Sequence, residues 1–236
     1  MFLSKRLLGR IPSVTLINEI STGTYSVYMV PGVYDITACA PGGGGVCAYA
    51  TLTGTSLGYA RGGVGGTVRV RVRVNTACTA TIYIPPTVGG AGYYHGSPQV
   101  FNQQFVNAGV GWTAPTGGNT TITGIPNLSL TCYGGTGASF YADTNSTGTG
   151  TPGTQGSVSV SGSAIISTSI NSNLTPVTSL QSSGRQDNTN EPMKIGEVMP
   201  SSGVANYRPG FGGNTGTPRA TGGTGGYGHV RIIRVS

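Results

Sequence analysis

From Thr67 to Val74 the chain alternates without a break. Val68, Val70, Val72 and Val74 share one parity, and Arg69, Arg71 and Arg73 share the other. Successive side chains of a β-strand point to opposite faces, so the pattern predicts a strand with a valine face turned to a core and an arginine face turned away from it. A second alternation, Cys78, Ala80, Ile82 and Ile84, follows a break at Asn75 and Thr76, and Pro85-Pro86 ends it. The same reading predicts two short strands around the Pro31-Gly32 turn in GTYSVYMVPGVYDITACA (23–40). It adds a strand pair in TTITGIPNLSLTC (120–132), an alternating piece in GSVSVSGSAI (156–165) and a closing strand from Gly228 to Val235. After residue 20 no segment of ten residues carries a helical period. The expected fold is all-β, a sandwich, jelly roll or barrel.

Residues 1–22 differ from the rest. Leu3, Leu7, Leu8 and Ile11 fall near one helical face, with Lys5, Arg6 and Arg10 largely elsewhere, and Pro12 limits any helix to about three turns. Two readings stand side by side: a docking segment that attaches the body to a larger assembly, or a first strand or frayed end. The organisation expected is a docking segment at 1–22 and one β-domain at 23–236.

Composition changes the picture in three ways. First, the 236 residues include 42 Gly and 14 Pro. Glycine clusters (GGGG, GGVGG, VGGAG, YGGTG, GFGG, GGTGG) recur without the fixed period of a solenoid. Because alternating apolar runs persist between them, they read as turns packed against each other in polyproline-II-like layers rather than as disorder. Second, charged residues make up 8% of the chain, against about 25% in ordinary soluble domains. A surface of Ser, Thr, Asn, Gln and Gly suits a crowded assembly or an extended fibre. Third, the formal charge of +7 is carried by arginine, with lysine nearly absent. Arginine makes planar, multidentate contacts at interfaces, and the excess also suits nucleic acid or an acidic glycan.

Of the four cysteines, Cys78 and Cys132 alternate with apolar residues and read as core, while Cys39 and Cys47 flank PGGGG, where the spacing leaves a disulfide open. The start MFLSKRLLGRIP has no apolar run long enough for a secretory leader, and no stretch approaches the ~20 apolar residues of a membrane span. Synthesis in a reducing cytoplasm is the expectation.

Three pieces, in order, resemble a known family. GTYSVYMVPGVYDITACAPGGGG (23–45), GGTVRVRVRVNTACTATIYIPPTVGGAG (65–92) and GFGGNTGTPRATGGTGGYGHVRIIRV (210–235) are similar to the opening, middle and close of the glycine-rich domain of bacteriophage tail-fibre and virion proteins. The resemblance implies a glycine-rich, jelly-roll-like β-sandwich. It also implies a structural role in the virion, trimerisation, contact with other virion proteins, and contact with a host-surface glycan or protein. The family's Pro-x-Gly before the second strand is here Pro31-Gly32, and residues 96–120 and 165–205 match none of its pattern. Receptor specificity is expected in those unmatched segments.

Candidate chemistry is sparse. GTSLG around Ser56 has the spacing of a nucleophile elbow, but no helix follows, and the chain has only His95 and His229 to serve as base. GTGTPG (148–153) matches GxGxxG but lacks its helix. Neither histidine has a Cys or an acid at metal-ligand spacing. No metal, no cofactor and no enzyme activity is expected. A surface-glycan depolymerase would need two carboxylates flanking a sugar bond. Asp187 and Glu191 share a polar loop, either as that pair or as hydrated loop acids.

For Arg69, Arg71 and Arg73 the expected neighbour is another subunit or solvent. Phosphate binding would fit their charge, but no aromatic interleaves to stack bases, so nucleic acid is not the expected partner. The host-surface candidates are Tyr93, Tyr94, His95 and Trp112 in an aromatic, amide-rich loop, with Arg185, Asp187 and Glu191 in the charged loop 184–200. The competing reading puts Phe101, Phe105 and Trp112 in the core.

Overall fold

The computed structural model of the chain describes residues 13–49, 56–89, 91–94, 111–142, 148–170 and 225–236. Among the described residues every regular element is a β-strand, and the strands are numbered here in chain order. One five-stranded sheet runs β1 (Val14–Glu19), β16 (His229–Arg234), β3 (Gly32–Cys39), β6 (Thr67–Val74), β15 (Ile165–Ile170). The other runs β14 (Val158–Ser161), β11 (Ser129–Cys132), β10 (Thr120–Thr123), β7 (Cys78–Ile84), β2 (Gly23–Met29). All pairs in both are antiparallel.

The alternation sets which side chains meet. Val68, Val70, Val72 and Val74 of β6 are buried, as are Tyr34, Ile36 and Ala38 of β3 and Val230 and Ile232 of β16. They join one hydrophobic cluster with Ala80, Ile82 and Ile84 of β7, Ile122 of β10, Leu130 and Cys132 of β11 and Met29 of β2. One core therefore serves both five-stranded sheets. The buried Tyr34 keeps its hydroxyl satisfied by donating to the Val30 carbonyl at 2.6 Å. The predicted strand pairs divide in two ways. β10 and β11 are true neighbours. β2 and β3 lie in different sheets, as do β6 and β7, so Pro31-Gly32 and Asn75–Ala77 are corners that carry the chain from one sheet to the other. The expected docking segment holds β1 at its C-terminal end, an edge strand paired with β16. Leu3, Leu7, Leu8 and Ile11 lie outside the described residues.

Two smaller sheets complete the architecture. They run β13 (Gly148–Thr151), β12 (Ser139–Ala142), β9 (Gly111–Thr113) and β5 (Ser56–Ala60), β4 (Val46–Tyr49), β8 (Ala91–Tyr94). The pairing of β4 with β8 is parallel.

The glycine tracts connect the large sheets to the small ones, and they are not turns. Segment 41–45 joins β3 to β4, 61–66 joins β5 to β6, and 85–89 leads from β7 toward β8. Segment 114–119 joins β9 to β10, 133–138 joins β11 to β12, 152–157 joins β13 to β14, and 225–228 leads into β16. Backbone hydrogen bonds between these threads recur at every third residue. Gly63 and Gly66 donate to the carbonyls of Thr136 and Tyr133, and Gly153 and Gly156 donate to those of Arg61 and Val64. Gly135 and Ala138 donate to Pro41 and Gly44, and Ala114 and Gly117 donate to Ala138 and Gly135. That is the repeat of a polyproline-II helix, which has three residues per turn and no internal hydrogen bonds, so its backbone groups bond outward.

Position in the bundle explains the composition of each thread. In 133–138 every third residue faces outward and is not glycine: Tyr133 and Thr136 are exposed. Thread 41–45 is buried along its length and has no outward position. It carries the four consecutive glycines, and its successive N–H groups donate to three different neighbours: Gly42 to Gly226 (3.1 Å), Gly43 to Gly63 (2.9 Å) and Gly44 to Pro115 (2.9 Å). Left-handed φ is not the reason for these glycines, because among the described glycines only Gly124 and Gly162 have positive φ. Close approach is the reason. A Cβ at Gly43 would overlap the Thr136 carbonyl, and one at Gly63 would overlap that of Thr154.

Candidate functional site

The arginines of β6 stand on the outer face of the first sheet. Register places Thr37 of β3 beside Arg69, Asp35 beside Arg71 and Val33 beside Arg73. Asp35 is the carboxylate that organises them. Arg71 grips it with both Nε (2.6 Å, to Oδ1) and Nη2 (2.8 Å, to Oδ2), and Arg69 Nη2 reaches Oδ2 at 3.2 Å. The hydrogen bond from Arg71 is the main cause that holds the Asp35 carboxyl below its usual range. The bond from Arg69 adds to it, and burial opposes both. Arg231 of β16, opposite Thr37, extends the face by one strand. Four arginines thus lie on one face, two of them bonded to its single carboxylate, on a sheet whose other face is the core. Asp35 and Arg231 were not singled out from the sequence. The signal was present in VYDITA, where an acid occupies an outward position of a strand that also alternates.

Toward the glycine bundle the same face closes over. Cys39 and His229 are register partners, and both are buried. A thiol beside an imidazole is the arrangement of a nucleophile and its base, but the electrostatics exclude activation here. Burial pushes the Cys39 thiol up to about 12. Burial, with the Arg231 charge, pulls the His229 imidazole down to about 4. Both groups are neutral near pH 7, and His229 Nε2 is engaged with Asn18 Oδ1 at 2.8 Å. Cys39 is a free thiol, which removes the disulfide with Cys47 that the spacing left open.

The second candidate region is the set of small sheets. Segment 50–55 connects β4 to β5, 95–110 connects β8 to β9, and 143–147 connects β12 to β13, so each starts and ends on a small sheet. β5 lies against both β12 and β13, which brings the two small sheets together. Tyr93 and Tyr94, expected on a loop, are in strand β8, where the register sets them opposite Ala48 and Tyr49. Trp112, also expected on that loop, is in strand β9 opposite Phe140. The alternation there was too short to announce a strand. His95, Arg185, Asp187 and Glu191 lie outside the described residues.

Among the described residues no group of His, Cys, Asp and Glu is arranged to hold a metal ion, and no helix is long and apolar enough to cross a membrane. The chain matches no family model, and no curated protein is significantly similar to it.

Proposed function

We propose that this chain is a non-enzymatic structural component of a bacteriophage virion, a tail-fibre or tail-tip protein that contributes to attachment at the host surface. Its body is a jelly-roll-like β-sandwich, and it works as a trimer alongside other virion proteins. Support for the sandwich comes from the single hydrophobic cluster shared by both five-stranded sheets. The glycine-rich resemblance of residues 23–235 points to the virion.

The observation that carries the attachment role is the threading. Seven glycine-rich segments leave or enter the body, and the connections 50–55, 95–110 and 143–147 are all anchored on the small sheets beyond them. A bundle in which neighbouring backbones hydrogen-bond at every third residue is stiff along its axis, because bending it would break many short bonds together. Stiff threads suit a scaffold that holds the segments beyond them at a fixed distance from the body. Recognition would fall to Tyr93, Tyr94, Trp112 and the connecting segments.

Two measurements test the proposal. Electron cryo-microscopy of the native particle should place three copies around the tail axis, with the small sheets outermost. Free purified protein should also reduce phage adsorption to host cells in proportion to its concentration. Copies arrayed on the capsid lattice, with no effect on adsorption, would replace the attachment role with shell decoration. Cleavage of host-surface polysaccharide that is abolished by Asp187→Asn with Glu191→Gln would replace it with a depolymerase.

A further inference from the structure

The outer face of the first sheet holds the densest charge among the described residues of a chain that is otherwise poor in charge. From this face we infer a second binding surface, independent of the virion reading: a site for a carboxylate-bearing polysaccharide along Arg73, Arg71, Arg69 and Arg231.

Four features of the face support it. Charge comes first. Arg69, Arg71, Arg73 and Arg231 are set against Asp35 alone, and Glu19 is the only other acidic side chain among the described residues. A second copy of the same face would repel this one, which selects an anionic partner of another kind.

The second reason is demonstrated chemistry. Asp35 is already a carboxylate held in bidentate fashion by Arg71, so the spacing and orientation of the guanidiniums on this strand accept that group. Arg71 is used up by that contact. Arg73 and Arg231 carry no ion pair among the described residues and are the open positions. Along the strand the arginines repeat at roughly 7 Å, and across two strands Arg231 and Arg69 lie roughly 10 Å apart.

The third reason is what lies between the charges. Asn18 and Ser167 are exposed and flank Arg231 and Arg71 in register, Asn18 with its Oδ1 on His229 and its amide NH2 left to donate, and the largely buried Thr37 sits between Arg231 and Arg69. Hydroxyl and amide groups interleaved with guanidinium match a sugar chain that carries both hydroxyls and carboxylates. A polypeptide laid on this surface would find no backbone partner, because β6 is paired on both sides. The fourth reason is an absence among the described residues: apart from the buried His229, no aromatic side chain occupies an outward position of β3, β6 or β16, so bases have nothing to stack on, which disfavours single-stranded nucleic acid.

The test uses the full chain on immobilised polygalacturonate, a polymer whose only charges are carboxylates, at low ionic strength. Neutral dextran and duplex DNA serve as comparison matrices. Wild-type protein should be retained on polygalacturonate, released by salt, and pass through dextran. The double variant Arg73→Gln, Arg231→Gln should bind about tenfold more weakly, since each lost charge-assisted contact contributes on the order of a factor of several. Its melting temperature and circular dichroism should match wild type, because neither side chain is ion-paired among the described residues. Arg73→Lys should bind more weakly than wild type although the charge is kept. Absence of retention, unchanged retention of the double variant, or retention on DNA equal to that on polygalacturonate would each overturn the inference. The last result would reduce the face to a general polycation.

Discussion

Replacing Gly43 by Ala tests the central claim about the glycine threads. The added methyl points at the carbonyl of Thr136 and at that of Gly135, all backbone atoms with no flexible side chain to yield. Thread 41–45 would have to move away from thread 133–138. Two hydrogen bonds bridge them: Gly135 N–H to Pro41 O at 3.1 Å and Ala138 N–H to Gly44 O at 2.9 Å. Both lie among buried residues, and a buried group left without a partner costs about 1–3 kcal/mol, so the loss is on the order of 2–6 kcal/mol. That is a large share of the ~5–15 kcal/mol that holds a typical domain together. Even the low end lowers the melting temperature by roughly 4–8 °C for a chain of this size. Gly89→Ala is the matched control. It makes the same chemical change on another thread, but a Cβ there meets no heavy atom within 4 Å. Its effect should stay within about 0.5 kcal/mol. Differential scanning calorimetry of the two variants beside wild type reads the contrast directly. Equal melting temperatures for Gly43→Ala and Gly89→Ala would refute the close packing of the threads and the reason given for four consecutive glycines.

Other predictions address the buried groups. His229 is neutral in the fold with its pKa near 4, while the unfolded chain protonates it near its ordinary value of 6.5. Its contribution is therefore full above about pH 6.5 and falls as pH drops toward 4, by about 3 kcal/mol in all. Thermal melts from pH 8 to 4.5 should show this slope in wild type and a flatter one in His229→Gln; parallel slopes would refute it. Asp35, whose pKa is depressed by Arg71 and Arg69, contributes stability that is full above its unfolded pKa and is lost only as pH falls below that value, so its window lies under that of His229. Cys39 and Cys132 are buried, and burial raises both thiols. Alkylation of the native protein at pH 8, followed by peptide mapping, should leave both unmodified and label them only after denaturation. Rapid native labelling of Cys39 would mean that the His229 end of the sheet opens.

Much of the fold was legible along the chain because a strand's two faces are written with a period of two. The four valines of β6, the Ala80–Ile82–Ile84 face of β7 and the closing strand at Val230 and Ile232 were all in the alternation, and each is buried where the alternation put it. The ends at Asn75 and Pro85 were legible too, since turn and breaker residues act locally. Partner choice was not legible. β2 and β3 are separated by two residues yet sit in different sheets, while β1 pairs with β16 from the opposite end of the sequence. Such pairing is decided by which apolar faces can close one core, and no local pattern encodes that.

The glycine tracts mark the same division. Their composition announced close backbone packing, but turns and threads use the same residue. Only the three-residue recurrence of hydrogen bonds between segments distant in sequence identified them as threads, and only burial around 41–45 explained why one of them admits no side chain. The arginine row was likewise plain in the sequence, whereas Asp35 and Arg231 joined it through cross-strand register. By itself the sequence determined what each strand shows to either side. The tertiary structure decided which strands stand next to each other, because charge pairing and close approach act across space between residues that the chain keeps far apart.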